Sequence, residues 1–189
     1  MEATLKLAHL YEWRKEWEKW EKTLLAFLKA EDLGLQHSTV QQALAYGYAS
    51  RGLWRKARSY AVAAAEVWSA SGLQAASNIC EGLAEWEESE RWMRSAAEAY
   101  PSGIGCSWYF WCRRNGRGDE RAAADLAARF FAAPIPDTRE THLLRGAYCL
   151  LQSDLPGALE QYQRAGAYAP NYSCTFAVAQ IARELGDEQ

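Results

Sequence analysis

The fold is decided by residues 143–171, which read LLRGAYCLLQSDLPGALEQYQRAGAYAPN. Two apolar segments of helical length follow one another here, and a proline ends the second. Where two antiparallel helices pack, small residues let the backbones approach and large residues fill the space between pairs. The stretch carries both kinds at regular positions: Gly146, Ala158, Tyr162 and Ala165. It therefore predicts an antiparallel helical hairpin.

Segments of this kind fill most of the 189-residue chain. Four of the five prolines stand at the ends of alanine-rich periodic segments, and strand signals are almost absent. Links of two to five residues make neighbouring helices antiparallel. The predicted helices are 2–32, as one long helix or a tight pair, then 38–50, 53–69, 72–84, 87–99, 104–115, 119–133, 138–151, 155–168 and 172–185.

These helix pairs repeat. A small residue early in each second helix gives the series Ala57, Ser89, Ala122 and Ala158, with separations of 32, 33 and 36 residues. Such a period is typical of helix-turn-helix repeats of about 34 residues.

The fourth pair resembles a tetratricopeptide repeat, whose pattern is W-x2-L-G-x2-Y, then A-x3-F, A and P. Gly146, Ala158, Tyr162, Ala165 and Pro170 match it, whereas His142, Arg145 and Cys149 depart from it. The resemblance covers about residues 38 to 170. It implies an all-α, right-handed α-solenoid of antiparallel helix pairs, with about four repeats. We expect one domain, 1–189, in which 1–34 is an N-terminal cap or divergent repeat and 172–185 is a capping helix.

The N-terminal segment carries an aromatic stripe. Trp13, Trp17, Trp20, Leu24 and Phe27 recur at spacings of three and four residues, which predicts one continuous apolar helix face. The stripe predicts a cap packed on the next pair. The alternative is a docking face or a homodimer seam formed by Trp13, Trp17 and Trp20.

Residues 106–112, CSWYFWC, hold four consecutive aromatic side chains between two cysteines. Four helical residues span 300° of the helix circumference, so this helix is expected to be covered on most sides. Packing is the main interpretation, and a contribution to a binding surface is the second. A membrane anchor is disfavoured because Arg113 and Arg114 follow and the run is short.

Composition narrows the function classes. A net charge of −3 and a pI near 5.7 disfavour nucleic-acid binding. Fewer than about 18 consecutive apolar residues occur anywhere, so no membrane span is expected.

Five cysteines without metal spacing favour a cytoplasmic location and no disulfide framework. We expect no cofactor, no metal and no catalytic activity, because the three histidines are scattered and no nucleophile motif is present. Asp119, and Asp137 with Glu140, are interpreted as helix caps.

In tetratricopeptide arrays the first helix of each pair lines a concave groove. The resemblance therefore implies a groove that binds a peptide or protein partner without catalysis. The residues predicted to face it are Gln42, Tyr46, Gln74, Asn78, Trp108, Trp111, Leu143 and Ala147. A grip on a partner's C-terminal carboxylate is disfavoured because only Asn78 suits that role. The alternative function is an assembly subunit or secretion-type chaperone that uses the N-terminal helix.

Overall fold

The structure is a computed structural model, and it describes residues 1–29, 34–101, 106–169 and 172–186, with the side chains of 172 and 173 excepted. These described residues contain helices and no strand. Neighbouring helices pack in succession, as in an all-α repeat solenoid, so the predicted fold class is confirmed. Pro170 lies outside the described residues.

The chain divides into two compact units, Met1–Tyr100 and Pro101–Gln189. The first contains α1 (Glu2–Trp13), α2 (Trp17–Leu28), α3 (Leu35–Ala49), α4 (Trp54–Ala65), α5 (Ala70–Gly82) and α6 (Trp86–Ala99). The second contains α7 (Ser107–Asn115), α8 (Glu120–Ala132), α9 (Arg139–Leu151), α10 (Leu155–Tyr168) and α11 (Tyr172–Glu184). The expectation of one domain stays a prediction.

The same turn closes five hairpins within the part of the chain that the structure describes. In each, one residue takes a left-handed backbone conformation, and the amide of the residue after it donates to the carbonyl oxygen five residues earlier, a helix-ending motif. The bond from Leu53 to Tyr48 and the bond from Glu85 to Cys80 are both 2.9 Å long. We call the left-handed residues the turn residues; they are Lys15, Gly52, Ala84, Gly116 and Ser153.

The N-terminal segment is a hairpin rather than one long helix. The turn at Lys15, whose φ is 58°, separates α1 from α2. The expectation of a continuous tryptophan stripe is therefore wrong: Trp13 ends one helix and Trp17 begins the next.

The α7–α8 hairpin has a longer link after its turn residue than the other four described hairpins. Its α8 begins after Asp119, three residues beyond the turn residue, whereas α4 begins after Leu53, one residue beyond it. In consequence the buried small residue early in α8 is Ala123, 1% exposed, and not the half-buried Ala122. The period of the second helices holds once this shift is made.

Aromatic rings lie against glycines where helices meet. A Cβ atom at Gly47 would strike the indole of Trp20, which is only 1% exposed, and one at Gly82 would strike the indole of Trp54. In the second unit a Cβ at Gly146 would lie 3.0 Å from Cδ2 of Tyr162. Close approach of large to small is thus the packing rule of both units.

One predicted cap is correct and one is wrong. Asp119 caps α8, since its Oδ1 accepts a 3.0 Å hydrogen bond from the amide of Ala122. The cap of α9 is Thr138, whose hydroxyl accepts from the amide of Thr141, and not Asp137. Asp137 instead contacts His142, with 2.7 Å between its Oδ1 and the imidazole Nε2.

Candidate functional site

The first helices α3 and α5 pack side by side in the first unit. Four predicted groove residues lie on them in matching positions, with Gln42 and Tyr46 on α3 and Gln74 and Asn78 on α5. The Asn78 side-chain amide donates a 3.2 Å hydrogen bond to the hydroxyl of Tyr46. The structure therefore brings these residues together, and Tyr46 and Asn78 are exposed. We call this surface the α3–α5 face.

The side chain of Gln42 is oriented by hydrogen bonds to buried groups. Its amide donates to Ser38 Oγ at 3.2 Å, and that hydroxyl donates in turn to the carbonyl oxygen of Ala64 at 2.9 Å. Ser38 Oγ also lies 3.3 Å from Ser69 Oγ, which caps α5. Gln42 is thus oriented by the network that begins the neighbouring helix.

Three further polar residues have the same helical spacing and were not predicted from the sequence. Thr39 precedes Gln42 by three residues, and Ser71 and Glu81 flank Gln74 and Asn78 on α5. Continuing the spacing of three to four residues by one helical turn beyond the predicted residues of α3 and α5 would have found them. Together with Thr39, Ser71 and Glu81, the α3–α5 face offers amides, hydroxyls and one carboxylate. These groups exchange hydrogen bonds with a peptide backbone.

Two predicted groove residues are not on an accessible surface. Trp108 and Trp111 are 2% and 1% exposed, so their predicted place in an open groove is wrong. Counted back from the turn residue Gly116, the position equivalent to Tyr46 and Asn78 is Phe110, which is half-buried. The packing interpretation of the aromatic run holds for these two rings.

Leu143 and Ala147 have the equivalent positions on α9, in the second unit. Both are half-buried.

The three N-terminal tryptophans lie in different environments. Trp13 is 77% exposed, and Trp20 is buried in the core. Trp17 is half-buried, and the guanidinium carbon of Arg51 lies over its ring, 4.9 Å from the ring centroid. Trp20 packs edge-on against Tyr48, with ring centroids 5.3 Å apart. Only Trp13 of the three is therefore available to a partner in this conformation.

A charged cluster joins α2, α3 and α4. Glu21 Oε1 accepts hydrogen bonds from the Tyr48 hydroxyl at 2.6 Å and from Lys56 Nζ at 2.7 Å. These bonds, that from Lys56 first, lower the pKa of Glu21, while burial and the bond to Glu21 raise the pKa of Tyr48 to about 12. The cluster is satisfied internally and links three helices.

Cys80, Glu85 and Glu88 place three potential metal-ligating atoms within 4.8 Å of one another. Both carboxylates are bound by Arg58, with 2.6 Å between its Nε and Glu85 Oε2. Burial raises the pKa of Cys80 to about 12, and burial also raises the pKa of Cys106 to about 12. The group is an ion-paired link between α4 and the next hairpin, and neither thiol is an activated nucleophile.

His142 is buried in the second unit, at 2% exposed. Its Nδ1 lies 2.8 Å from Gln161 Oε1, opposite the contact of its Nε2 with Asp137. Tyr168 closes this corner by donating to the carbonyl oxygen of Asp137 at 3.0 Å. The arrangement ties the start of α9 to α10. Hydrogen bonding of the Asp137 side chain, by Tyr168 first and then by His142, lowers the pKa of Asp137.

The fold and these sites define the chain as an all-α protein of successive antiparallel helix pairs. Its sequence matches no model of a known protein family, and a search of curated proteins finds no significant match. Among the described residues, every helix is too short or too polar to cross a lipid bilayer.

Proposed function

We propose that this chain is a non-catalytic interaction scaffold of the tetratricopeptide-like kind, which holds a peptide or protein segment on the α3–α5 face. The observation that carries the proposal is the pairing of Tyr46 with Asn78 across two neighbouring first helices, on an exposed surface. The recurring turn supports the family resemblance, because the two helices of each of the five described hairpins are joined by the same backbone geometry.

The chemistry of the face favours a partner segment with free backbone groups. Gln74 and Asn78 carry side-chain amides that both donate and accept hydrogen bonds. Tyr46, 43% exposed, adds an aromatic surface next to them, and aromatic residues are frequent binding hot spots. A cytoplasmic location accompanies the proposal, since all five cysteines are free.

The test compares partner recovery by matched variants. Full-length chain is used to capture partners from the native lysate, and Tyr46→Ala/Asn78→Ala is compared with Arg55→Ala/Gln163→Ala, which removes two exposed polar side chains from second helices. We expect the first variant to recover at least roughly tenfold less partner, because truncating a hot-spot residue costs about 2 kcal/mol or more. Equal recovery by both variants, with unchanged helical circular dichroism, would contradict the α3–α5 face.

A second candidate function rests on a separate surface. On α1, Leu7, Leu10 and Trp13 are 42%, 40% and 77% exposed and follow one another every three residues. An exposed apolar strip of this kind favours docking into an assembly or a homodimer, as in an assembly subunit or a secretion-type chaperone.

This candidate is tested without truncation, because removing residues 1–34 would also remove Trp20 and Leu24 from the core. Light scattering of the full chain gives its mass, and Leu10→Glu/Trp13→Glu removes the apolar strip. A wild-type dimer that the variant converts to a monomer supports the seam. A monomeric wild type counts against it.

A further inference from the structure

A surface cleft of about 510 Å³ lies at the turn end of the first two hairpins. This volume is within the range of small-ligand sites in proteins. The cleft brings the turn residue Lys15 together with Arg51, which immediately precedes the turn residue Gly52. We call it the turn cleft; its lining residues are Lys15, Glu16, Trp17, Glu18, Lys19 and Arg51, all in the first unit.

Aromatic rings hold the guanidinium of Arg51 at the wall of the turn cleft. Its Cζ atom lies 4.9 Å from the ring centroid of Trp17 and 5.9 Å from that of Tyr48. A guanidinium that stacks on a ring keeps its N–H groups at the outer edge, where they can donate two parallel hydrogen bonds to an oxyanion. The Nη1 atom of Arg51 is buried and makes no hydrogen bond within the described part of the chain. Because a buried charged donor without an acceptor is unfavourable, Arg51 has hydrogen-bonding capacity that these residues do not use.

The charges of the turn cleft are unbalanced. Glu16 is already paired, since its Oε2 lies 2.6 Å from Lys19 Nζ. Lys15 and Arg51 have no ion-pair partner among the residues that the structure describes. Glu18, which is exposed, is the other carboxylate of the lining. Two unpaired cations therefore face one carboxylate, which favours an anionic ligand.

We propose that the turn cleft binds a phosphorylated side chain of a partner protein. The phosphoryl oxygens accept hydrogen bonds from the Arg51 guanidinium and pair with the Lys15 ammonium. A phosphoryl group carries about two negative charges and three acceptor oxygens, so it engages both cations. A carboxylate has one charge, which Arg51 alone would balance, and Lys15 would then remain unpaired.

The surroundings of the turn cleft favour a phosphorylated residue over a free ion. The cleft is open on the surface and larger than a phosphate ion, so it can also admit the residue that carries the phosphoryl group. Trp13, two residues before Lys15, is 77% exposed and offers an aromatic surface to the neighbouring residues of the partner. None of these residues belongs to the α3–α5 face, so the two proposals can fail independently.

The experiment titrates the isotope-labelled full-length chain with N-acetyl-phosphoserine methylamide. NMR spectra follow the Arg51 Nε–H signal and the Trp17 indole signal, which Arg51→Lys and Trp17→Phe assign. We expect both signals to shift, and Arg51→Gln to raise the dissociation constant roughly tenfold because it loses the charged donors. Lys15→Gln is expected to raise it roughly threefold. Glu18→Gln is expected to lower it roughly twofold, because a like charge is removed from the cleft.

The matched control is Arg121→Gln, which removes one positive charge from an exposed position of α8 and is expected to leave binding unchanged. Circular dichroism confirms that each variant folds. Signals that do not shift in the wild type, or equal dissociation constants for Arg51→Gln and Arg121→Gln, would overturn the proposal. Equally tight binding of N-acetyl-glutamate methylamide would also overturn it, since one charge would then be enough. Binding of inorganic phosphate without binding of the phosphoserine derivative would overturn the assignment to a protein side chain.

Discussion

The hairpins α5–α6 and α7–α8 fill the same structural position with residues of opposite size. In α5–α6 the position seven residues before the turn residue holds Ser77, and Ser89 Oγ donates to the Ser77 carbonyl oxygen at 2.9 Å. In α7–α8 it holds Tyr109, whose side chain is only 5% exposed. The helices of α7–α8 also pack less closely against each other than those of α5–α6.

This position is buried in both hairpins, but the residue that fills it need not be small. Tyr109 extends beyond its own hairpin, and its hydroxyl accepts a 2.9 Å hydrogen bond from Gln152 at the end of α9. The longer link before α8 accompanies the large ring. A hairpin can therefore be held by small contacts within it or by an aromatic side chain that reaches the next hairpin.

The largest expected effect comes from making the aromatic hairpin resemble the small one. Tyr109→Ser leaves a cavity in place of a buried ring, and we expect it to lower the free energy of unfolding by about 3–5 kcal/mol. Urea unfolding followed by circular dichroism measures this. Tyr109→Phe keeps the ring and removes only the bond to Gln152, so its expected cost is about 1 kcal/mol. Equal costs for both changes would show that the ring's volume is unimportant.

The reverse exchange, Ser77→Tyr, inserts a ring where two helices touch through small groups. Overpacking of this kind costs about 1–3 kcal/mol, and we expect a loss of that size in the same urea titration. Ser71→Tyr adds the same ring at an exposed position of α5 and is expected to change stability by less than about 0.5 kcal/mol. A stable Ser77→Tyr protein would mean that α5 and α6 can separate as α7 and α8 do.

Removing one hydroxyl sharpens the comparison further. Ser89→Ala deletes the buried bond to Ser77, and we expect a loss of about 1–2 kcal/mol because the Ser77 hydroxyl remains buried. The control Ser59→Ala removes an exposed hydroxyl of α4. If Ser89→Ala lowers the free energy of unfolding no more than Ser59→Ala does, the contact stabilises the hairpin through close packing and not through its hydrogen bond.

The smallest expected effect concerns a more exposed polar contact, the Glu21 cluster. The pKa of Glu21 is lowered from its ordinary 4.5, so the stabilisation by its carboxylate is complete above that pH and is lost as pH falls through the folded-state pKa. We expect Glu21→Gln to be less stable than the wild type at pH 7, and the difference to shrink below pH 4.5. Thermal unfolding across pH 3 to 7 measures it, with the exposed Glu66→Gln as control. A gap that is constant with pH would contradict the role of the charge.

Much of the fold was predictable because it depends on local signals. The helix predicted at 155–168 is Leu155–Tyr168, and the helix predicted at 138–151 is Arg139–Leu151. Proline positions and apolar periodicity determine such segments before any tertiary contact forms. Of the candidate site, the matching positions of Tyr46 on α3 and Asn78 on α5 followed from the sequence, because both helices share one register. Their place in a binding groove stays a prediction.

The misplaced residues share one cause. The run from Trp108 to Trp111 is apolar around most of the helix, so periodicity gives no direction to any single ring. The longer link before α8 also shifted the register, which made Ala122 stand for Ala123. Counting back six residues from Gly116, where glycine suits the left-handed conformation, would have pointed to Phe110 instead of the tryptophans. Counting four residues on from the cap Asp119 would have given Ala123.

By itself, the sequence determined that this chain forms short helices joined as antiparallel pairs, because small residues, apolar spacing and prolines act over a few neighbours. The tertiary structure alone decided that Lys15, Ala84 and Ser153 adopt the left-handed turn, which costs a residue other than glycine about 1–2 kcal/mol and is stabilised here by the packed hairpin. It also decided which aromatic rings are buried. Those outcomes depend on contacts between helices that are distant along the chain.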